Sequence, residues 1–81
     1  MQRQHIKQYI LQNFLFSSDE GALADADSLI SGGILDSTGI AELIEFLEEK
    51  FSIAVAAEEM IPANFDTVES VDSFVSRKLA S

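Results

Sequence analysis

Eighty-one residues carry fourteen Asp and Glu against five Lys and Arg, a net charge of -9, while 47% of the chain is hydrophobic. A chain this short holds one domain-sized core and leaves little room for a deep catalytic cleft; its hydrophobic content also separates it from weakly hydrophobic, highly charged chains that stay disordered. The same charge repels a phosphate backbone, so no nucleic acid is expected as a partner, and basic protein surfaces are favoured instead.

The sequence contains no cysteine, which removes disulfides, thiolate metal ligands and any thiol nucleophile of the chain's own. No apolar run approaches the roughly eighteen residues of a membrane span, and the segment Met1 to Lys7 lacks the apolar stretch of a secretory signal. The expectation is a soluble cytoplasmic protein, one domain over residues 1–81, kept monomeric by its own like charge and with no membrane partner.

Helical spacing begins at once. Over residues 2–16, Ile6, Tyr9, Ile10 and Phe14 recur every three or four positions, with Leu11 and Leu15 widening the apolar face. Residues 17–36 then interrupt the pattern with Gly21, Gly32 and Gly33 among acids. Leu23, Leu29, Ile30, Ile34 and Leu35 give this long connection enough anchors to form an ordered, packed loop.

The clearest helix spans residues 37–51. Ile40, Leu43, Ile44, Leu47 and Phe51 lie on one stripe, and Thr38, Glu42, Glu45 and Glu49 fall opposite. Phe51, Ile53 and Val55 then alternate like a strand, but a lone strand has no ladder partner, so an extended connector is predicted. A short helical turn follows over residues 58–61, limited by Pro62. The last helix covers residues 67–80, with Val68, Val71, Val75 and Leu79 in register and Phe74 beside them. Asp66 or Thr67 caps it, Glu69 standing three residues after Asp66 as in a capping box, and Arg77 and Lys78 suit its negative end. The predicted fold is all-α: an irregular four-helix bundle of three longer helices and one short one, with a long ordered loop between the first two.

Catalytic chemistry finds no footing. His5 is the sole histidine and has no cysteine partner, so neither an acyl-transfer triad nor a zinc site assembles from these residue types. A calcium loop opening at Asp25 and Asp27 would put Leu29 and Ile30 where an oxygen ligand and the turn glycine belong. A glycine-rich phosphate loop with its lysine is also missing. No catalytic residue and no metal ligand is assigned, and the chain is not expected to be an enzyme.

What stands out is Ser37, at or beside the start of the most amphipathic helix. As a cap, its hydroxyl would satisfy an orphan amide, worth about 1 kcal/mol. As an attachment point, an anion on it would face the amides of Thr38, Gly39 and Ile40 at the positive helix end.

The stretch Gly33-Ile34-Leu35-Asp36-Ser37-Thr38-Gly39-Ile40-Ala41-Glu42-Leu43-Ile44, continued by Leu47-Glu48-Glu49-Lys50-Phe51, resembles the phosphopantetheine attachment region of acyl carrier and peptidyl (aminoacyl) carrier proteins. The likeness extends along nearly the whole chain, to a final helix opened by Phe65-Asp66-Thr67-Val68. The resemblance implies a 4'-phosphopantetheine arm, donated by coenzyme A and attached covalently to Ser37 by a phosphopantetheinyl transferase. Asp36, Thr38 and Gly39 then flank the attachment, and Asp36 resembles the family acid that helps position the transferase and its magnesium. The arm would hold acyl or aminoacyl cargo as a thioester. Glu42, Glu45, Glu48 and Glu49 resemble the acidic surface that meets loading ligases or synthases with basic faces.

The family triplet is usually Asp-Ser-Leu, which occurs literally at Asp27-Ser28-Leu29. Gly32 and Gly33 would stop a helix begun there, and Ser73 falls inside the last helix, so Ser37 is the expected site. Thr38, Ala41 and Glu45 replace the larger apolar side chains common in fatty-acid-synthesis carriers, which implies a dedicated pathway. Phe46, Met60, Ile61 and Phe65 are read as core or, alternatively, as the lining of an acyl cleft. The competing reading of the whole chain is an acidic helical adaptor that binds partner proteins and is never modified.

Overall fold

The first apolar stripe becomes α1, Gln2–Ile10, and runs on through one wider π turn, Leu11–Leu15, until Phe16 closes it in the left-handed region at φ 52°. The computed structural model describes residues 2–17 and 19–80. Ile6, Ile10 and Leu11 are buried, whereas Phe16 is 87% exposed.

The long connection is ordered and packed, as its apolar content predicts. Leu23, Leu29 and Leu35 enter the core, while Ile30 and Ile34 are half-buried. Gly33, at φ 76°, turns the chain so that the Ile34 and Leu35 amides both donate to the Leu29 carbonyl. Asp66 fastens the loop from outside: its Oδ1 accepts from the Ser28 hydroxyl at 2.7 Å and from the Ile30 amide at 3.2 Å, and its carbonyl accepts from the Leu29 amide.

α2 spans Ser37–Phe51, at the predicted bounds, and buries Leu43, Ile44 and Leu47. Ser52 then ends it with φ 54°. Residues 53–56 form neither helix nor ladder, as predicted for a connector, and Ala56 is extended; the Val55 amide donates to Glu48 Oε2 at 2.9 Å.

Two local expectations are corrected. A tight turn forms at Ala57–Glu59, but Pro62 does not limit it; the proline instead opens α3, Pro62–Phe65. The first helical position has no intrahelical partner for its N–H, so a ring nitrogen sacrifices nothing there. α4 is Val68–Ala80, and its cap is Thr67, whose Oγ1 accepts from the Ser70 amide at 2.9 Å. Asp66 has turned to the loop instead, and the Glu69 amide donates to the Asp25 carbonyl, so the box of Asp66 with Glu69 does not form.

The core draws on α1, the loop, α2, α3 and α4 together. Phe65 and Phe74 meet edge to face in it at 5.3 Å. The α4 stripe buries Val68, Val71, Phe74 and Val75 but releases Leu79, which is exposed. Polar clasps tie α1 to α4 and to the loop: Gln2 Nε2 donates to Asp72 Oδ1 at 2.7 Å, and Arg3 bridges Asp72 and Asp25. No helix among the described residues is long and apolar enough to cross a membrane.

Candidate functional site

The start of α2 is built by three residues with separate tasks. Asp36 holds extended backbone angles, φ -107° and ψ -172°, and its Oδ1 accepts from the Gly39 amide at 2.7 Å. Its carbonyl accepts from the Ile40 amide at 2.9 Å. The cap is therefore Asp36, and Ser37 is the first helical residue, exposed, with no hydrogen bond to its hydroxyl among the described residues. The capping role open to Ser37 in the sequence is filled by its neighbour.

That arrangement also revises the anion seat. The Gly39 and Ile40 amides are both spent on Asp36, which leaves the first-turn amides of Ser37 and Thr38 as the unused intrahelical donors. Thr38 is exposed, while Gly39 is buried. A Cβ on Gly39 would stand 3.1 Å from Phe14 Cε1 and 3.3 Å from both Asp36 Oδ1 and Leu35 Cδ2. The bare glycine thus lets α1 press an aromatic ring against the helix start while the capping carboxylate folds over it.

Hollows open on opposite sides of α2. One, about 240 Å³, is lined by Ser37, Ile40, Ala41, Ile44 and Met60 and is mostly apolar. Neither reading of Phe46, Met60, Ile61 and Phe65 holds for all four: Phe65 is core and Phe46 packs against the core beside Tyr9, Met60 and Ile61 are exposed, and of the four only Met60 borders this hollow. Ile40, Ala41 and Ile44 were missed as lining residues, although their spacing from Ser37 by three, four and seven puts all four on one helix face.

The other hollow, about 260 Å³, lies between α1 and α2 and is lined by Tyr9, Glu42, Glu45, Phe46 and Glu49. Glu48 is not part of it; its carboxylate is turned to the Val55 amide. Tyr9 donates its hydroxyl to the Glu42 carbonyl at 3.3 Å. Burial, and then the charges of Glu42 and Glu45, raise its phenol above the ordinary value.

No family model matches the sequence. The chain is 33% identical over 69 residues to the probable acyl carrier protein PigG of Serratia sp. (strain ATCC 39006), covering 85% of this chain and 78% of that one. It is 38% identical over 61 residues to the D-alanyl carrier proteins of two Streptococcus suis strains, 98HAH33 and 05ZYH33, covering 75% of this chain and 76% of each relative. The chain belongs to the acyl carrier protein family. It is accordingly a carrier and not an enzyme.

Within this carrier the three serines that follow an aspartate sit in different surroundings. Ser28 is half-buried, donating to Asp66 and accepting from the Ser31 amide at 3.0 Å, with Leu29 fully buried beside it. Ser73 is exposed but lies in the middle of α4. Ser37 combines exposure with the first position of a fifteen-residue helix.

Proposed function

We propose that Ser37 bears a 4'-phosphopantetheine arm, joined as a phosphodiester by a phosphopantetheinyl transferase that draws on coenzyme A, and that the protein presents acyl or aminoacyl cargo to partner enzymes in the cytoplasm. The single observation that carries this reading is the division of labour at the start of α2: Asp36 caps, so the Ser37 hydroxyl is exposed and free to be derivatised.

The residues present suit such a group. Ser37 projects from a helix end whose dipole favours an anion. The unused Ser37 and Thr38 amides are donors on the same turn, and the apolar hollow of Ile40, Ala41, Ile44 and Met60 adjoins Ser37. When bound, the arm supplies the thiol that a chain without cysteine lacks. Asp36 keeps the helix tip in place through Gly39, and its second oxygen is the one left to meet the transferase and its magnesium. The exposed carboxylates of Glu42, Glu45 and Glu49, with Glu48 behind them, form the face that steers basic loading enzymes into brief encounters. The names of the relatives bracket the cargo chemistry, acyl in one and D-alanyl in the others.

Intact mass spectrometry after incubation with coenzyme A and a phosphopantetheinyl transferase tests the assignment. One added arm is expected on the wild-type chain and on Ser28→Ala, and none on Ser37→Ala. Labelling that survives Ser37→Ala rejects Ser37 as the site, and a wild-type chain that stays unlabelled favours the unmodified adaptor.

A further inference from the structure

The groove between α1 and α2 has a wall that an acidic helix surface alone would lack. Tyr9 and Phe46 stack with ring centroids 4.0 Å apart and planes 13° from parallel. Phe14 meets Tyr9 edge-on at 6.0 Å, and Phe51 meets Phe46 at 6.4 Å, so four rings cross from one helix to the other. Glu42, Glu45 and Glu49 stand around the same hollow as the central pair. Isolated, these carboxylates would be a solvated surface. Beside an aromatic pair in a hollow of about 260 Å³ they make a recess lined by two rings and three carboxylates.

We propose that this groove is a docking site for an arginine side chain of a basic partner protein, and that Tyr9 on α1 makes the carrier prefer arginine over lysine there. It rests on the partner-docking part of the reading above and is independent of Ser37. A guanidinium is planar, stacks on aromatic rings and presents several N–H donors in a fixed fork, whereas an ammonium is a compact, strongly hydrated charge. The Tyr9 hydroxyl donates to the Glu42 carbonyl, which leaves its oxygen lone pairs available to an incoming N–H.

Charge also gives the groove a direction. A second hollow shares Tyr9 and Phe46 but is lined by His5, Gln8, Gln12 and Lys50. Lys50 repels a cation there, so the arginine is confined to the side bearing Glu42, Glu45 and Glu49. Sequence periodicity concealed this surface because Tyr9 reads as part of the α1 apolar stripe.

Capped triarginine and trilysine peptides, titrated into the 81-residue protein at low salt and followed by NMR of the Tyr9 and Phe46 ring protons, test the proposal. The triarginine peptide is expected to bind about two- to fivefold more tightly and to shift both rings. Tyr9→Phe keeps the stack and should keep the preference, while weakening both peptides alike through loss of the hydroxyl acceptor; Tyr9→Leu should bring the two peptides to equal affinity while salt still weakens both. Equal affinities on the wild-type protein, or ring protons that do not move, overturn the proposal whether or not the variants fold. Because the peptides need no arm, a negative result here leaves the mass test at Ser37 untouched, and the reverse also holds.

Discussion

Asp36 and Ser37 are adjacent, both are good capping residues by type, and only one of them caps. The Asp36 carboxylate lies 2.7 Å from the Gly39 amide, and a carboxylate at that end also gains from the helix dipole. Asp36→Ala should therefore destabilise the fold by about 1 kcal/mol. Ser37→Ala removes a hydroxyl with no partner among the described residues and should stay within about 0.5 kcal/mol of wild type. Urea midpoints at constant m-value measure both; the reverse ranking would return the cap to Ser37 and remove the ground for its free hydroxyl. The residue pattern showed that a helix begins here, but it could not choose between neighbouring oxygens, because that choice depends on the extended backbone of Asp36 and on Gly39 being bare beneath Phe14.

Among the elements, Asp66 does more than its sequence position suggests. Standing between α3 and α4, it accepts from Ser28 and Ile30 through its side chain and from Leu29 through its carbonyl. Asp66→Ala leaves the Ile30 amide and Ser28 hydroxyl without their partner, a loss of about 1–3 kcal/mol for partly buried groups. Faster amide exchange is expected first at Ile30, ahead of the interior of α2; uniform acceleration across the chain would mean that Asp66 does not hold the loop locally. This tie explains what was and was not legible. Helical periodicity located α1, α2 and α4, and the apolar anchors Leu23, Leu29 and Leu35 identified a packed loop. The α4 cap went to Thr67 because a residue 38 positions away in sequence claimed the Asp66 carboxylate. Likewise Pro62, a helix breaker by type, serves as the start of α3, and Leu79 keeps the register of its stripe but outruns the core at the end of α4.

For the whole molecule, the question is whether ion pairs or like-charge repulsion governs the response to salt. Arg3 pairs with Asp25 and Asp72, Lys7 with Asp25, and Lys78 with Glu59, at 2.8–3.2 Å and with partly exposed side chains. Hydrogen bonding from Lys7 holds the Asp25 carboxyl below the ordinary 3.8, and Lys78 does the same for Glu59 below the ordinary 4.5. A lowered carboxyl contributes stability above its ordinary value and loses it only as the pH falls through the lowered one, so these pairs are intact at neutral pH. Exposed pairs of this kind are worth about 0–1 kcal/mol each. Against them stands a net charge of -9, with Glu42, Glu45 and Glu49 crowded on one side of α2. Raising salt from about 0.01 M to about 0.15 M shortens the screening length from about 30 Å to about 8 Å, and this weakens the distributed repulsion more than the close pairs. The melting temperature at neutral pH should therefore rise by about 4–8 °C for each ~1 kcal/mol of repulsion removed. Glu49→Gln should raise the low-salt value and shrink the gain. A melting temperature that falls with salt would show that the clasps of α1 and α4 outweigh the acidic face, and that the charge which steers partners costs the fold nothing.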